Sequence, residues 1–142
     1  MKLRFILFLA LSVFTMSACN KSNSHPVPNI PFDFTIDITL PSYSSLMGVG
    51  GFTYVTGGSR GIIVYRRSID EFIAFDRHSP QDPDGTCALP LYPDNDNFLI
   101  LIDSCSTATF SLYDGSAISN SEFGLRQYQT VFNGTNILRI YN

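Results

Sequence analysis

Phe32, Phe34, Ile36, Ile38 and Leu40 alternate one for one with Asp33, Thr35, Asp37 and Thr39. A repeat of two places all five apolar side chains on one face of an extended chain. The segment is therefore predicted as a strand with one buried side, ended by Pro41. A loop rich in glycine (Gly48, Gly50, Gly51) follows. Residues 52–55, 62–65 and 72–75 are then apolar runs of strand length, the first two separated by Thr56-Gly57-Gly58-Ser59-Arg60-Gly61. Residues 98–102 form another run, after the turn Pro93-Asp94-Asn95-Asp96-Asn97. Asp114-Gly115 and Asn133-Gly134 each sit between two such runs, and both dipeptides tolerate the positive φ that a tight hairpin needs. Nothing beyond the N-terminal segment repeats with a helical period. Eight or nine short antiparallel strands joined by close turns predict an all-β sandwich or small barrel.

The N-terminus is of another kind. Lys2 and Arg4 precede an apolar run from Phe5 to Phe14, too short to span a hydrocarbon core of about 30 Å, which is the layout of a targeting peptide. It closes in Met16-Ser17-Ala18-Cys19. This tetrapeptide resembles the lipobox of bacterial lipoproteins, with Met16 where Leu is usual. The resemblance implies a signal peptide over residues 1–18 and acylation of Cys19, the simpler alternative being an ordinary secretory signal cut near Ala18. Each buried methylene contributes about 0.8 kcal/mol, so several acyl chains anchor a protein without a transmembrane helix. The expected location is the bacterial cell envelope, membrane-anchored and facing the periplasm. Residues 19–31, polar and held extended by Pro26, Pro28 and Pro31, are predicted as a flexible linker with His25 in solvent. Residues 32–142 then form one domain.

Without the first 18 residues the chain carries seven basic and twelve acidic residues, a formal charge of −5. That argues against a nucleic-acid partner, whose phosphates require a basic face. With Cys19 assigned to lipid, Cys87 and Cys105 remain, and an oxidising compartment favours their pairing. Such a bridge closes a loop of about 18 residues and contributes on the order of 3 kcal/mol.

Other motifs are weaker. The glycines around Ser59 lack the Lys and following helix of a phosphate loop. Asp94-Asn95-Asp96-Asn97 lacks the central Gly and later bidentate Glu of a calcium loop. Asn133-Gly134-Thr135 matches a glycosylation sequon, but its hairpin role suffices. His78, with Asp76, Asp82 and Asp84 nearby, offers an acid–base pair on paper, yet no Ser lies on a nucleophile elbow, so no catalytic residue is assigned. Cys87, Cys105, His78 and His25 form a nominal Cys₂His₂ zinc set, which needs reduced thiols and a ligand from the linker.

Residues 72–81, Phe72-Ile73-Ala74-Phe75-Asp76-Arg77-His78-Ser79-Pro80-Gln81, and residues 103–110, Asp103-Ser104-Cys105-Ser106-Thr107-Ala108-Thr109-Phe110, together resemble the two cluster-binding loops of Rieske iron–sulfur proteins. Phe110, Asp114-Gly115, Leu125, Tyr128 and the terminal run from Ile137 to Asn142 continue the resemblance. It implies a small Rieske-like β fold with two apposed loops. In that family C-x-H and C-x-x-H pairs give two Cys to one iron and two His to the other. The matching positions here are Ser79, Gln81, Asp103 and Ser106, and the Gly-Pro-Ala segment that covers the cluster is replaced by Ser119-Asn120-Ser121. No iron–sulfur cluster, metal or other cofactor is therefore expected. The resemblance also places Cys87 and Cys105 where many members carry a disulfide between the loops. It is strongest with small Rieske-like lipoproteins of Bacteroidota-type bacteria. The expectation is a non-catalytic lipoprotein that binds or assembles with a protein or small molecule not named by the sequence. The alternatives are a Rieske-type electron carrier and a thiol–disulfide oxidoreductase using Cys87 and Cys105; nothing strongly basic lies near these two, and they are not a C-x-x-C pair.

Overall fold

The structure, a computed structural model, describes residues 24–142. The expected signal peptide, Cys19 and the first residues of the expected linker, up to residue 23, lie outside the described residues. Among the described residues the fold is all-β, with ten strands: β1 (Asp33–Asp37), β2 (Phe52–Val55), β3 (Ile62–Arg66), β4 (Phe72–Asp76), β5 (Tyr92–Pro93), β6 (Ile100–Ile102), β7 (Thr109–Ser111), β8 (Ala117–Ser119), β9 (Gln127–Phe132) and β10 (Ile137–Tyr141). Six form a sheet in the order β1-β10-β9-β4-β3-β2, and β5-β6-β7-β8 form a second. All registered pairs are antiparallel. No helix among the described residues is long and apolar enough to cross a membrane.

β3 and β4 explain why their runs are continuously apolar: they have a core on each face. Ile62, Val64, Phe72 and Ala74 pack with Ile36, Leu138 and Ile140 on one side. Ile63, Tyr65, Ile73 and Phe75 point the other way, onto Leu101 and Phe110 of the four-stranded sheet and Leu112 just after β7. β1 is one-sided, as its alternation predicts, with Phe34 and Ile36 turned toward the first core.

Three local departures from the sequence reading have clear causes. β1 stops at Asp37, not Leu40, because the Asp37 carboxylate accepts the Thr39 N–H (2.9 Å) and hydroxyl (2.6 Å), turning the chain out of the ladder. A 3₁₀ helix, Pro41–Met47, then occupies the predicted loop, with Pro at its start and Leu46 fully buried. β6 begins at Ile100 because Phe98 and Leu99 belong to the turn: Asn97 Oδ1 accepts the Leu99 N–H (3.1 Å) and the Asn97 carbonyl accepts the Ile100 N–H (2.9 Å).

The linker is the fourth difference. Val27 is fully buried and His25 half-buried, so residues 25–30 lie along the domain rather than in solvent. The burial of one apolar side chain and the Arg126 guanidinium, which donates to the Val27 carbonyl from Nε (2.9 Å) and Nη2 (2.7 Å), outweigh the local preference for an extended, solvated segment.

Candidate functional site: two clamped loops

The β4–β5 connection, residues 77–91, and the β6–β7 connection, residues 103–108, meet at one end of the molecule and are joined by a Cys87–Cys105 disulfide. Cys87 is buried and Cys105 exposed. The expected pairing is thus present.

Asp103 organises the second loop. It is almost fully buried. Its Oδ1 accepts the Cys105 N–H at 2.8 Å and the Ser106 N–H at 3.3 Å, and its Oδ2 accepts the Ser106 hydroxyl at 2.6 Å. Burial by itself would raise the Asp103 pKa. The Ser106 hydroxyl, the Ser79 hydroxyl and the two amides outweigh it and hold the carboxyl below its ordinary value. Three of the four positions that the Rieske resemblance matches to cluster ligands, Ser79, Asp103 and Ser106, are therefore brought together around one carboxylate. The fourth, Gln81, is exposed. Asn120 of the covering segment donates from Nδ2 to the Thr107 carbonyl (3.3 Å), so residues 119–121 lie against the second loop.

The first loop is built on a neighbouring polar knot. The Asp76 carboxylate is fully buried at the end of β4 and has four donors: the amides of Ser59 (2.6 Å), Arg60 (3.1 Å) and His78 (2.8 Å), and the Tyr128 hydroxyl (2.6 Å). Burial, with the Asp76 charge as acceptor, pushes the Tyr128 phenol pKa far up, so it stays a donor. Gly58 has φ of +60°, and a Cβ there would run into Asp76 and Tyr128, which explains a glycine at this point of the turn. His78 is also buried, between the Ser59 hydroxyl at Nδ1 (2.7 Å) and the Asp82 carbonyl at Nε2 (2.6 Å). The Asp82 carboxylate accepts the Thr86 amide (2.9 Å) and hydroxyl (2.9 Å) and the Cys87 amide (2.8 Å), which sets the approach of Cys87 to its partner.

A serine hydrogen-bonded to a histidine, itself held by a carbonyl, has the outline of a nucleophile and base. Here the amides beside the serine, those of Ser59 and Arg60, both point at Asp76. Those two amides are therefore not free to receive a developing oxyanion.

The metal readings fare no better. Among the described residues, the side chains grouped at metal-ligand spacing are Cys87, Asp103 and Cys105, and the two sulfurs are bonded to each other. His25 and His78 are engaged elsewhere, so the nominal Cys₂His₂ set does not assemble. A [2Fe–2S] cluster does not fit the donors at the matched positions. They offer oxygens, the Asp103 carboxylate is saturated by hydrogen bonds, and both cysteines among the described residues are tied up in the disulfide.

Sequence reasoning found Asp76 and Asp82 only as neighbours of His78. It missed Tyr128 and Ser59 as partners; the signal available was an Asp ending a wholly apolar strand, a buried charge that requires donors. A groove of about 260 Å³ between β4 and β9, lined by Arg67, Glu71, Phe72, Thr130 and Phe132 among others, was not foreseen either.

The chain matches no protein-family model, no curated protein and no solved structure.

Proposed function

We propose that this protein is a non-catalytic cell-envelope lipoprotein: a Rieske-like β domain without its cluster, tethered to a membrane through acylated Cys19 and acting in binding or assembly. The observation behind this reading is the Asp103 carboxylate, buried among Ser106, Ser79 and the loop amides where the family resemblance implies cluster ligands. A hydrogen-bonded carboxylate and a disulfide do mechanically what a cluster does in such loops: they hold the two segments in one shape. The shape, presented at one end of the domain, is then available for recognition.

Anaerobic reconstitution with ferrous iron and sulfide tests the loss of redox chemistry. The expected product has neither Rieske-type absorption nor a Rieske-type EPR signal, and one cluster per chain overturns the reading in favour of an electron carrier. Fractionation tests the anchor. Cys19→Ser moves the protein from the membrane to the soluble fraction if Cys19 carries the lipid, and an unchanged distribution removes that part of the reading.

A further inference from the structure

We propose that the segment 24–31 is a pH-sensitive strap, docked on the domain while His25 is neutral and released when it is protonated. The His25 ring makes two hydrogen bonds of opposite sense. Its Nδ1 accepts the Val27 N–H at 3.2 Å, and its Nε2 donates to the Gly124 carbonyl at 2.9 Å. Only the neutral tautomer with hydrogen on Nε2 satisfies both. A second proton, on Nδ1, turns an acceptor into a donor that faces the Val27 N–H.

The surroundings oppose that proton. Phe123 meets the ring edge-on, with centroids 6.0 Å apart. Arg126 lies beside it, holding the Val27 carbonyl and reaching Asn29 Oδ1 at 3.4 Å. Of the charged groups around the ring, Arg126 repels an imidazolium and buried Asp76 attracts it. Glu122, next to Phe123 in the chain, is solvent-exposed. Burial first, then the Arg126 charge, hold the His25 pKa below 6.5 against the Gly124 carbonyl and Asp76. The sign follows: the released strap takes up the proton more readily than the docked one, so docking is complete above about pH 6.5 and weakens as pH falls. A ring that refused the proton altogether while docked would lose about a hundredfold in the docked-to-released ratio two pH units lower. Release frees eight residues, which extend the reach of the domain by about 25 Å. The inference holds whether or not Cys19 is acylated.

Amide and methyl NMR spectra of the full chain, recorded from about pH 7.5 to about pH 4.5, test it. The Val27 amide and methyl signals are expected to pass from docked to random-coil positions with a midpoint below 6.5, while the Leu101 and Ile140 core signals stay put. In His25→Asn the side-chain oxygen accepts the Val27 N–H at every pH, and the transition disappears. A strap that is released at all pH values in this variant equally identifies His25 as its anchor. The proposal falls if the wild-type strap stays docked to about pH 4.5, if the transition survives in His25→Asn, or if the core signals collapse in step with it.

Discussion

Two buried carboxylates decide how this domain is held, and each is testable by a single substitution. Asp103 has its pKa lowered, since the hydroxyls and amides around it outweigh the cost of burial. A group whose folded pKa lies below its unfolded value, about 3.9, contributes stability that is present above that value and lost as pH falls through the folded one. Asp103→Asn is therefore expected to lower stability by about 1–3 kcal/mol at neutral pH and to flatten the loss of stability below about pH 4, measured by urea unfolding across pH. Asp76 depends on Tyr128, from 52 positions away in sequence, for one of its four donors. Tyr128→Phe leaves the buried carboxylate one donor short, at a cost of about 1–3 kcal/mol in the same assay. A change under about 0.5 kcal/mol would mean that the tyrosine is merely a core ring.

At the scale of elements, the two connections behave as one unit because Cys87 and Cys105 join them across 18 residues of sequence. Opening the disulfide with a reductant is expected to cost on the order of 3 kcal/mol, seen as a lower urea midpoint. The 103–108 loop should gain hydrogen exchange selectively, because its backbone bonds turn inward on Asp103 while the sheets keep their own ladders. Equal protection in both redox states would show that Asp82 and Asp103 suffice to hold the loops. The strands themselves were legible wherever periodicity or turn chemistry is local: the alternation at Phe32 to Leu40, the apolar runs of β3 and β4, and the hairpins at Asp114-Gly115 and Asn133-Gly134. β5 and the 3₁₀ helix were not. Two residues have no period, and the helix forms because Leu46 finds a core built by distant strands.

For the whole molecule, what the sequence could not show is long-range. Nothing near Val27 signals that the segment turns back on Arg126, 99 positions away. The resemblance to two apposed loops implied that Ser79 and Asp103 lie near each other, but nothing in residue order signals that the Ser79 hydroxyl is a partner of the Asp103 carboxylate. The disulfide was accessible, because counting cysteines needs no geometry, and the saturation of Asp103 was not, because hydrogen bonds to amides leave no trace in residue order. A disulfide and a hydrogen-bonded carboxylate hold the two loops, and on the proposed reading they stand in for a metal cluster. Intact mass together with iron content of the protein purified from membranes tests it most directly. The expected product is a chain starting at an acylated Cys19, lighter by the two hydrogens of one disulfide and without stoichiometric iron. Two irons per chain with free thiols at Cys87 and Cys105 would contradict it.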